Sequence, residues 1–308
     1  MSYIEQIRSA FKYLSEIIQI PRNYKVLDIG SGNNPFARAN VLCERSVEDD
    51  LERVGKIVID RPLVVGDITK LPFQDKAFDV IVCCHLLEHL EKPEEGLEEI
   101  MRVARTGIIE VPSEYFEKIN SHNFHYWYIT YEDKVLNFKP KERPIFDAFL
   151  TNIFHEKIWL KDKHFMKFYN SNRYKYFNIR FKWKEKIAYR IHRNLGESII
   201  SSEAFSKAKT IIKDSVIYKN KLDYQYSKGG KSIEIFPKLK IYIKKILRFF
   251  LVKPVDVYKI IACPLCKKVL ETDKANDILI CKNCNLEYPI VNNIPILLVD
   301  KSKQHLVE

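Results

Sequence analysis

The run VLDIGSGNNPF at residues 26–36 constrains the fold most: an apolar strand leads into Asp28 and then into Gly30-Ser31-Gly32. The chain has only nine glycines in 308 residues, and two of them stand in this turn. Glycine allows turn dihedrals and a close approach of main chain to a ligand. In parallel sheets, ligands bind at the carboxyl ends of the strands. The run therefore predicts a strand and a ligand-binding turn at one edge of a parallel sheet.

Further apolar runs alternate with segments long enough to cross over a sheet. They lie at residues 41–44, 63–65, 78–84 and 107–111, with a helical pattern at 3–20 and another from Pro93 to Ala104. Strands that alternate with crossovers predict an α/β fold with a doubly wound, mostly parallel sheet. Only eight residues separate Gly32 from Val41, which is too short for a full crossover helix.

The remainder divides into three predicted regions. FNIRFKWK at 177–184 and IAYRIH at 187–192 both alternate, which predicts an antiparallel hairpin that closes the sheet edge of a first domain at 1–195. Residues 196–252 read as a basic linker with an amphipathic helix at 238–252, and residues 253–308 as a zinc-ribbon domain.

The segment GDITKLPFQDKAFDVIVCCHLLEHL at 66–90 adds four more motifs in a fixed order. With the glycine turn, residues 24–113 closely resemble class I S-adenosylmethionine-dependent methyltransferases of the general methyltransferase-domain branch. The resemblance implies a Rossmann-like enzyme that binds S-adenosylmethionine through these residues: Asp28, Gly30, Ser31, Gly32, Glu44, Asp67, Ile68, Cys84 and His85. In that family the turn wraps the amino-acid part of the cofactor and Asp67 reads the adenine amine.

The ribose acid has two candidates. Glu44 ends the second apolar run, where an acid accepts the ribose hydroxyls in doubly wound folds. Asp60 is the rival, but it stands only seven residues before Asp67, which leaves no room for another strand and helix. We favour Glu44.

Four histidines are candidate proton acceptors for the transfer, and His89 and His125 are the catalytic candidates among His85, His89, His122 and His125. The segment SHNFHYWYI at 121–129 either forms an aromatic wall over the sulfonium or packs as an ordinary aromatic loop. Cys84-His85-Leu86 departs from the Asn/Asp-Pro-Pro-aromatic signature of enzymes that methylate exocyclic or amide nitrogens. This favours an oxygen or small-molecule acceptor.

Four cysteines form two C-x-x-C pairs separated by 14 residues: Cys263, Cys266, Cys281 and Cys284. This spacing supplies four thiolates for a tetrahedral, structural Zn²⁺ site. With the flanking YPIVNNIPILLVD at 288–300, the region resembles the small zinc-ribbon activator of tRNA, rRNA and release-factor methyltransferases.

The net charge of +11 is concentrated in the middle of the chain, where residues 116–262 hold 31 Lys and Arg against 14 Asp and Glu. Two classes of acceptor follow. The leading hypothesis is a hydroxyl of a small-molecule, lipid-linked or glycan acceptor, with the helix at 238–252 either touching an anionic membrane or packing on the catalytic domain. The alternative is RNA, bound by basic and aromatic side chains; a scaffold without catalysis is a third class.

The start of the chain lacks a signal peptide pattern, and no apolar run approaches the ~18 residues of a membrane span. We therefore expect a cytoplasmic protein, with peripheral contact at the inner membrane face left open.

Overall fold

This computed structural model describes residues 15–48, 55–122, 124–141, 154, 158, 161–193, 246 and 248–304. Its main sheet contains strands from the first half of the chain and from the C-terminal region. Five parallel strands form its centre in the order β3-β2-β1-β4-β5. They are β1 (Val26–Ile29), β2 (Val41–Glu44), β3 (Leu63–Gly66), β4 (Phe78–Cys84) and β5 (Ala104–Pro112). The predicted doubly wound, mostly parallel sheet is confirmed.

The central strands are mostly apolar because both of their faces are covered. All residues of β1, β2 and β3 are buried, as expected for a parallel sheet packed on two sides. Between β1 and β2 the chain makes only turns, in agreement with the short spacing in the sequence.

Three helices have clear local causes. α1 (Pro93–Val103) begins with proline at its first turn and two acids, and buries Leu97, Ile100 and Val103. α2 (Glu114–Ile119) is capped by Ser113, and α3 (Lys163–Asn172) is capped by Asp162. The helix predicted from Pro93 is confirmed to within one residue; of the one predicted at 3–20, residues 3–14 lie outside the described part and residues 15–18 are helical.

The predicted hairpin at 177–192 is wrong. β8 (Asn178–Lys184) pairs antiparallel with β5 and extends the sheet there, but β9 (Ala188–Ile191) joins another sheet. That sheet has the order β6-β7-β9, with β6 (Trp127–Glu132) and β7 (Val135–Pro140) antiparallel and β9 parallel to β7. Alternation does not name the partner strand. Pairing with β7 brings Tyr189 and Ile191 of β9 opposite the buried Leu136 and Phe138, whereas β8 pairs with β5.

The C-terminal region adds strands to the opposite edge. β10 (Glu271–Asp273), β11 (Ile278–Cys281), β12 (Leu286–Val291) and β13 (Ile294–Leu297) pair in sequence, and β14 (Lys303–Gln304) pairs with β12. β13 also pairs in parallel with β3, with Ile296 opposite Val65. The two ends of the chain therefore share one continuous sheet, which the sequence did not predict.

Backbone hydrogen bonds and one ion pair reinforce the junction of β13 with β3. The backbone N–H of Gln74 donates to the carbonyl of Ile260 at 3.0 Å, and Ala262 N–H donates to Pro72 at 2.9 Å. Lys267 Nζ lies 2.7 Å from Glu99 Oε2 on α1. The three domain limits given above stay predictions, and residues 196–245 of the linker lie outside the described part.

Within the described residues, no helix has the length and apolar character to span a bilayer. The end of the predicted amphipathic helix contacts the catalytic part, since Arg248 pairs with Asp60 at 2.7 Å. Phe249 and Phe250 in the same turn are exposed. Membrane contact therefore stays a prediction.

Candidate functional site

The glycine turn is held in a conformation that suits glycine. Gly30 and Gly32 have φ values of 67° and 53°, in the left-handed region that other residues rarely adopt. The buried carboxylate of Asp28 accepts a hydrogen bond from the N–H of Phe36 at 2.7 Å, and Gly30 N–H donates to the carbonyl of Cys43 at 2.9 Å. The turn is thus fixed at both ends against β1 and β2.

Glu44 lies against this turn. Its Oε1 accepts hydrogen bonds from Ser31 Oγ at 2.7 Å and from Gly32 N–H at 2.6 Å. Asp60 is engaged elsewhere, with Arg61 and Arg248 each at 2.7 Å. Burial raises the pKa of Asp60, but the two guanidinium groups outweigh it and the pKa is lowered. The contacts bring Glu44 to the turn, and its role as ribose ligand stays a prediction.

Asp67 follows β3, next to the end of β2. Its Oδ1 accepts hydrogen bonds from Thr69 N–H and Thr69 Oγ1, each at 2.8 Å, and so caps the short helix Ile68–Lys70. Arg45 Nε lies 3.7 Å from its carboxylate. Ile68 is buried. Asp67 is therefore held by local backbone at the same sheet edge as Glu44.

His85 lies directly after β4, with a φ of 54°. Its Nε2 is 3.3 Å from Glu110 Oε1 and its Nδ1 is 3.5 Å from Glu88. Burial lowers the pKa of His85, but the hydrogen bonds to Glu110 and Glu88 outweigh it and raise the pKa to about 9. The imidazole is therefore cationic at neutral pH. Its neighbour Cys84 is a poor nucleophile, because burial raises the pKa of the thiol.

Glu110 on β5 accepts hydrogen bonds from residues of several elements. Arg173 and Arg180 each approach it at 2.6 Å, and Asn178 Nδ2 donates to it at 2.8 Å. Burial raises the pKa of Glu110, but the bond from His85 and the two guanidinium groups hold it well below its usual range. Glu110 therefore stays ionised and fixes His85 and β8 in place.

His89 and His125 meet although 36 positions separate them. Their ring centroids are 4.5 Å apart. Nδ1 of His125 lies 2.6 Å from Glu117 Oε2, and Glu117 also accepts a hydrogen bond from Lys141 Nζ. Burial and the neighbouring His89 lower the pKa of His125 well below its usual value, so the imidazole is neutral.

Glu117 and Lys141 form a buried ion pair behind this imidazole. Burial raises the pKa of Glu117 and lowers the pKa of Lys141, while their mutual attraction acts against both shifts. Of the segment at 121–129, His125 and Trp127 are buried, and Trp127 Nε1 donates to the carbonyl of Leu90 at 2.6 Å. This part of the segment packs as a loop around the histidines.

The four cysteines of the C-x-x-C pairs converge. All four sulfurs lie within 4.8 Å of one another, with Cys263 to Cys284 at 4.0 Å and Cys266 to Cys281 at 3.5 Å. Four thiolates at about 2.3 Å from one Zn²⁺ would be about 3.8 Å apart in a tetrahedron. Tyr288 Oη lies 3.4 Å from Cys263 Sγ. The donor set therefore fits a structural zinc ion.

Comparisons with known families agree with these two centres. The family model described as "Methyltransferase domain" matches residues 27–109, and the model described as "Trm112p-like protein" matches residues 255–293. The chain carries a methyltransferase domain and a Trm112-like domain. The prediction of a class I S-adenosylmethionine-dependent methyltransferase with a C-terminal zinc ribbon is confirmed at the level of these two domains.

The Trm112-like domain has close relatives. A UPF0434 protein of Francisella tularensis subsp. novicida is 44% identical over 53 residues, which are 17% of this chain and 86% of the relative. A UPF0434 protein of Francisella philomiragia matches with the same identity and coverage. This region is therefore similar to most of the length of these small proteins.

Solved structures are more distant. A complex of the Haloferax volcanii Trm112 methyltransferase activator with a putative methyltransferase matches at 23% identity and a TM-score of 0.28, over 37% of this chain and 55% of that chain. A possible histamine N-methyltransferase of Thermotoga maritima matches at 20% identity and a TM-score of 0.28, over 38% of this chain and 66% of that chain. The first match spans about half of its solved chain, and scores this low carry no argument about activity.

The methyltransferase domain places the predicted residues in two neighbouring groups. Glu44 contacts the glycine turn, and His89 contacts His125. Asp60 instead forms ion pairs with Arg61 and Arg248. Sequence reasoning missed five residues that hold these groups: Glu110, Glu117, Lys141, Arg173 and Arg180. Only Glu110 had a signal in the sequence, because it is an acid inside the apolar run GIIEV. The catalytic and cofactor roles of all these residues stay predictions.

Proposed function

We propose that this chain transfers the methyl group of S-adenosylmethionine to a hydroxyl of a small-molecule, lipid-linked or glycan acceptor. The observation that carries the proposal is the juxtaposition of two segments at one sheet edge. The glycine turn follows β1, and the segment with His85 and His89 follows β4. Since β1 and β4 are neighbouring parallel strands, the cofactor and the acceptor would meet above their carboxyl ends.

The glycine turn fits the cofactor. A Cβ atom at Gly30 would lie 3.2 Å from Leu86 Cδ2, so the turn has room for main chain but little for a side chain. Glu44 Oε1 accepts hydrogen bonds from Ser31 Oγ and Gly32 N–H, and we assign this carboxylate to the ribose hydroxyls. Asp67, held by Thr69, is assigned to the adenine amine.

The transfer itself asks little of the protein beyond positioning and proton removal. The acceptor oxygen forms the new bond to the methyl carbon, the carbon–sulfur bond breaks, and the hydroxyl proton passes to a base. His89 and His125 are the proposed bases. His85 is unsuited to this role, because its pKa of about 9 keeps it protonated at neutral pH.

RNA is the second candidate acceptor. The excess of 31 basic over 14 acidic residues at 116–262 would contact phosphates, and the 29 aromatic residues there would stack on bases. The Trm112-like domain is consistent with this class, since it resembles the activator of tRNA and rRNA methyltransferases named above. In this chain we assign it the role of stabilising the methyltransferase domain through the pairing of β13 with β3.

Transfer of a labelled methyl group into separated cell fractions tests the acceptor. The full chain is incubated with labelled S-adenosylmethionine and with lipid, carbohydrate, small-molecule, RNA and protein fractions. Label in the lipid, carbohydrate or small-molecule fraction supports the proposal. Label in RNA that is lost at higher salt selects the alternative. Label in protein alone contradicts both.

Substitution Gly30→Val tests the cofactor site. A β-branched residue at a φ of 67° costs about 1–2 kcal/mol of backbone strain, and its Cβ presses on Leu86. We expect affinity for S-adenosylmethionine, measured by calorimetry, to fall at least tenfold, since about 1.4 kcal/mol is a factor of ten. Circular dichroism is the control for folding. A folded variant with unchanged affinity would contradict the assignment.

A further inference from the structure

Three potential metal ligands converge near the end of β4. Glu88 and His89 lie on the short helix Leu87–His89, and His125 comes from the loop before β6. One ligand atom from each lies within 4.8 Å of the others. The N–H of Tyr126 donates to the carbonyl of Glu88 at 2.8 Å, which fixes the loop on the helix. We refer to Glu88, His89 and His125 as the Glu-His-His cluster.

Glu88 is a buried carboxylate with only weak partners. Its side chain is 0% exposed, and within the described part of the chain its one polar contact near hydrogen-bond length is the long approach of His85 Nδ1. The nearest cationic groups are His85 Nδ1 at 3.5 Å and His89 Nε2 at 4.0 Å, both at or beyond the limit of a hydrogen bond. A buried carboxylate is costly unless it is paired or coordinates a metal.

His125 is oriented as metal-bound histidines are. Its Nδ1 contacts Glu117 Oε2 at 2.6 Å, and Lys141 holds the other oxygen of that carboxylate. A carboxylate behind Nδ1 fixes the tautomer and directs the Nε2 lone pair away from it, which is the usual arrangement behind a metal ligand. His89 is positioned by its edge contact with His125, at 4.5 Å, and by stacking on Phe124, at 5.4 Å.

The separation of Glu88 and His89 allows them to share one ion. Two donors at about 2.1 Å from the same metal lie at most about 4.2 Å apart, and the Glu88–His89 separation of 4.0 Å meets this limit. Two imidazoles and one carboxylate favour manganese, iron, cobalt or zinc over magnesium or calcium. Three protein ligands also leave coordination positions open.

We propose that Glu88, His89 and His125 bind one divalent transition-metal ion. The ion neutralises the buried carboxylate and has open positions on the acceptor side of the sheet edge. If the proposed function holds, these positions bind the acceptor hydroxyl, the ion lowers its pKa so that the proton passes to water, and His89 and His125 act as metal ligands in place of free bases; metal binding itself does not depend on that function. The Glu-His-His cluster is separate from the four cysteines, which bind through sulfur.

The test titrates the full-length protein, loaded with one zinc ion per chain so that only the thiolates are filled, with Mn²⁺ and follows the electron paramagnetic resonance signal of the free ion. Zinc keeps the thiolates occupied, and Mn²⁺ prefers oxygen and nitrogen ligands. We expect saturable binding of one Mn²⁺ per chain. Glu88→Gln should weaken binding by about 100-fold or more, and Glu117→Gln by about 10- to 100-fold through loss of the orienting carboxylate. His164→Asn is the matched control, because this imidazole lies on α3 outside the cluster, and it should bind as the parent does.

Thermal unfolding guards against a folding artefact. Without added Mn²⁺, Glu88→Gln should still show a cooperative melting transition, because glutamine preserves the size of the buried side chain. Mn²⁺ should raise the melting temperature of the parent and not of the variant. Absence of Mn²⁺ binding by the parent, or unchanged binding by Glu88→Gln, overturns the proposal. Calorimetry with S-adenosylhomocysteine, the stable product of methyl transfer from S-adenosylmethionine, separates the two proposals. Binding of S-adenosylhomocysteine without binding of Mn²⁺ refutes the metal site alone. Binding of Mn²⁺ without binding of S-adenosylhomocysteine refutes the cofactor site alone.

Discussion

The four cysteines and the Glu-His-His cluster are two groups of potential metal ligands in one chain, and they differ in how far apart their members lie in the sequence. The cysteines come as two C-x-x-C pairs whose spacing already describes the site. The Glu-His-His cluster takes two residues after β4 and a third from a loop 36 positions later. Local spacing creates the first site, whereas packing of a loop on a strand end creates the second.

The surroundings of the two sites differ as well. Two of the cysteines are only partly buried, and these two lie in turns beside small antiparallel strands. Glu88 and His125 are buried and backed by the Glu117–Lys141 pair. The thiolate site should therefore determine whether its domain folds, while the Glu-His-His cluster depends on a domain that folds around it.

The largest effect is expected from Cys281→Ser. Loss of a structural zinc ligand should unfold the Trm112-like domain and remove β13 from the edge of β3. We expect the loss in free energy of unfolding to be about 4 kcal/mol or more. Zinc content by atomic absorption and thermal unfolding measure it. Lys282→Ser in the same C-x-x-C pair is the control, since Lys282 is exposed. Equal stability of both variants would show that zinc does not hold this domain together.

The next effect is expected from Glu117→Gln. It leaves the buried ammonium of Lys141 without its carboxylate, and breaking a buried pair on one side costs about 3 kcal/mol. Chemical denaturation measures the change. The double variant Glu117→Gln/Lys141→Met should recover more than half of the loss. A single variant as stable as the parent would mean that the pair does not support His125.

A smaller effect concerns pH, and it distinguishes the two sites. The pKa of His85 is about 9 in the folded chain, above its ordinary value of 6.5. Its bonds to Glu110 and Glu88 therefore stabilise the fold fully below pH 6.5, and this contribution is lost as the pH rises through about 9. The zinc thiolates behave oppositely, because acid protonates them.

We expect the difference in melting temperature between the parent and His85→Asn to be largest at pH 6 and to decline toward pH 10. Tyr24→Phe, in a part of the chain without titrating contacts to this group, serves as the control for general alkaline destabilisation. A difference that is constant across the range would contradict the raised pKa of His85.

The smallest effect is expected at the junction of the two domains. Lys267 and Glu99 are partly buried and 2.7 Å apart, so Lys267→Met should cost about 0.5–1 kcal/mol of unfolding free energy. Added salt should reduce this difference between variant and parent. A loss as large as that of Cys281→Ser would mean that the ion pair, rather than zinc and the pairing of β13 with β3, controls the junction.

Much of the fold followed from local patterns. The glycine turn, the parallel strands and α1 were predictable because buried runs, turn residues and caps act over a few residues. The partner of β9 was not, since the same alternation fits β7 or β8. The donors around Glu110 come from β4, β8 and the turn at 173–177, and no spacing in the sequence links them.

The sequence by itself determined the two domains, the position of the glycine turn and the spacing of the four cysteines, because each depends on residues close together in the chain. The tertiary structure alone decided that β13 continues the methyltransferase sheet, that Glu44 rather than Asp60 contacts the glycine turn, and that Glu88 meets His125. These contacts join distant segments, and their partners are set by which surfaces remain to be buried once the local elements have formed.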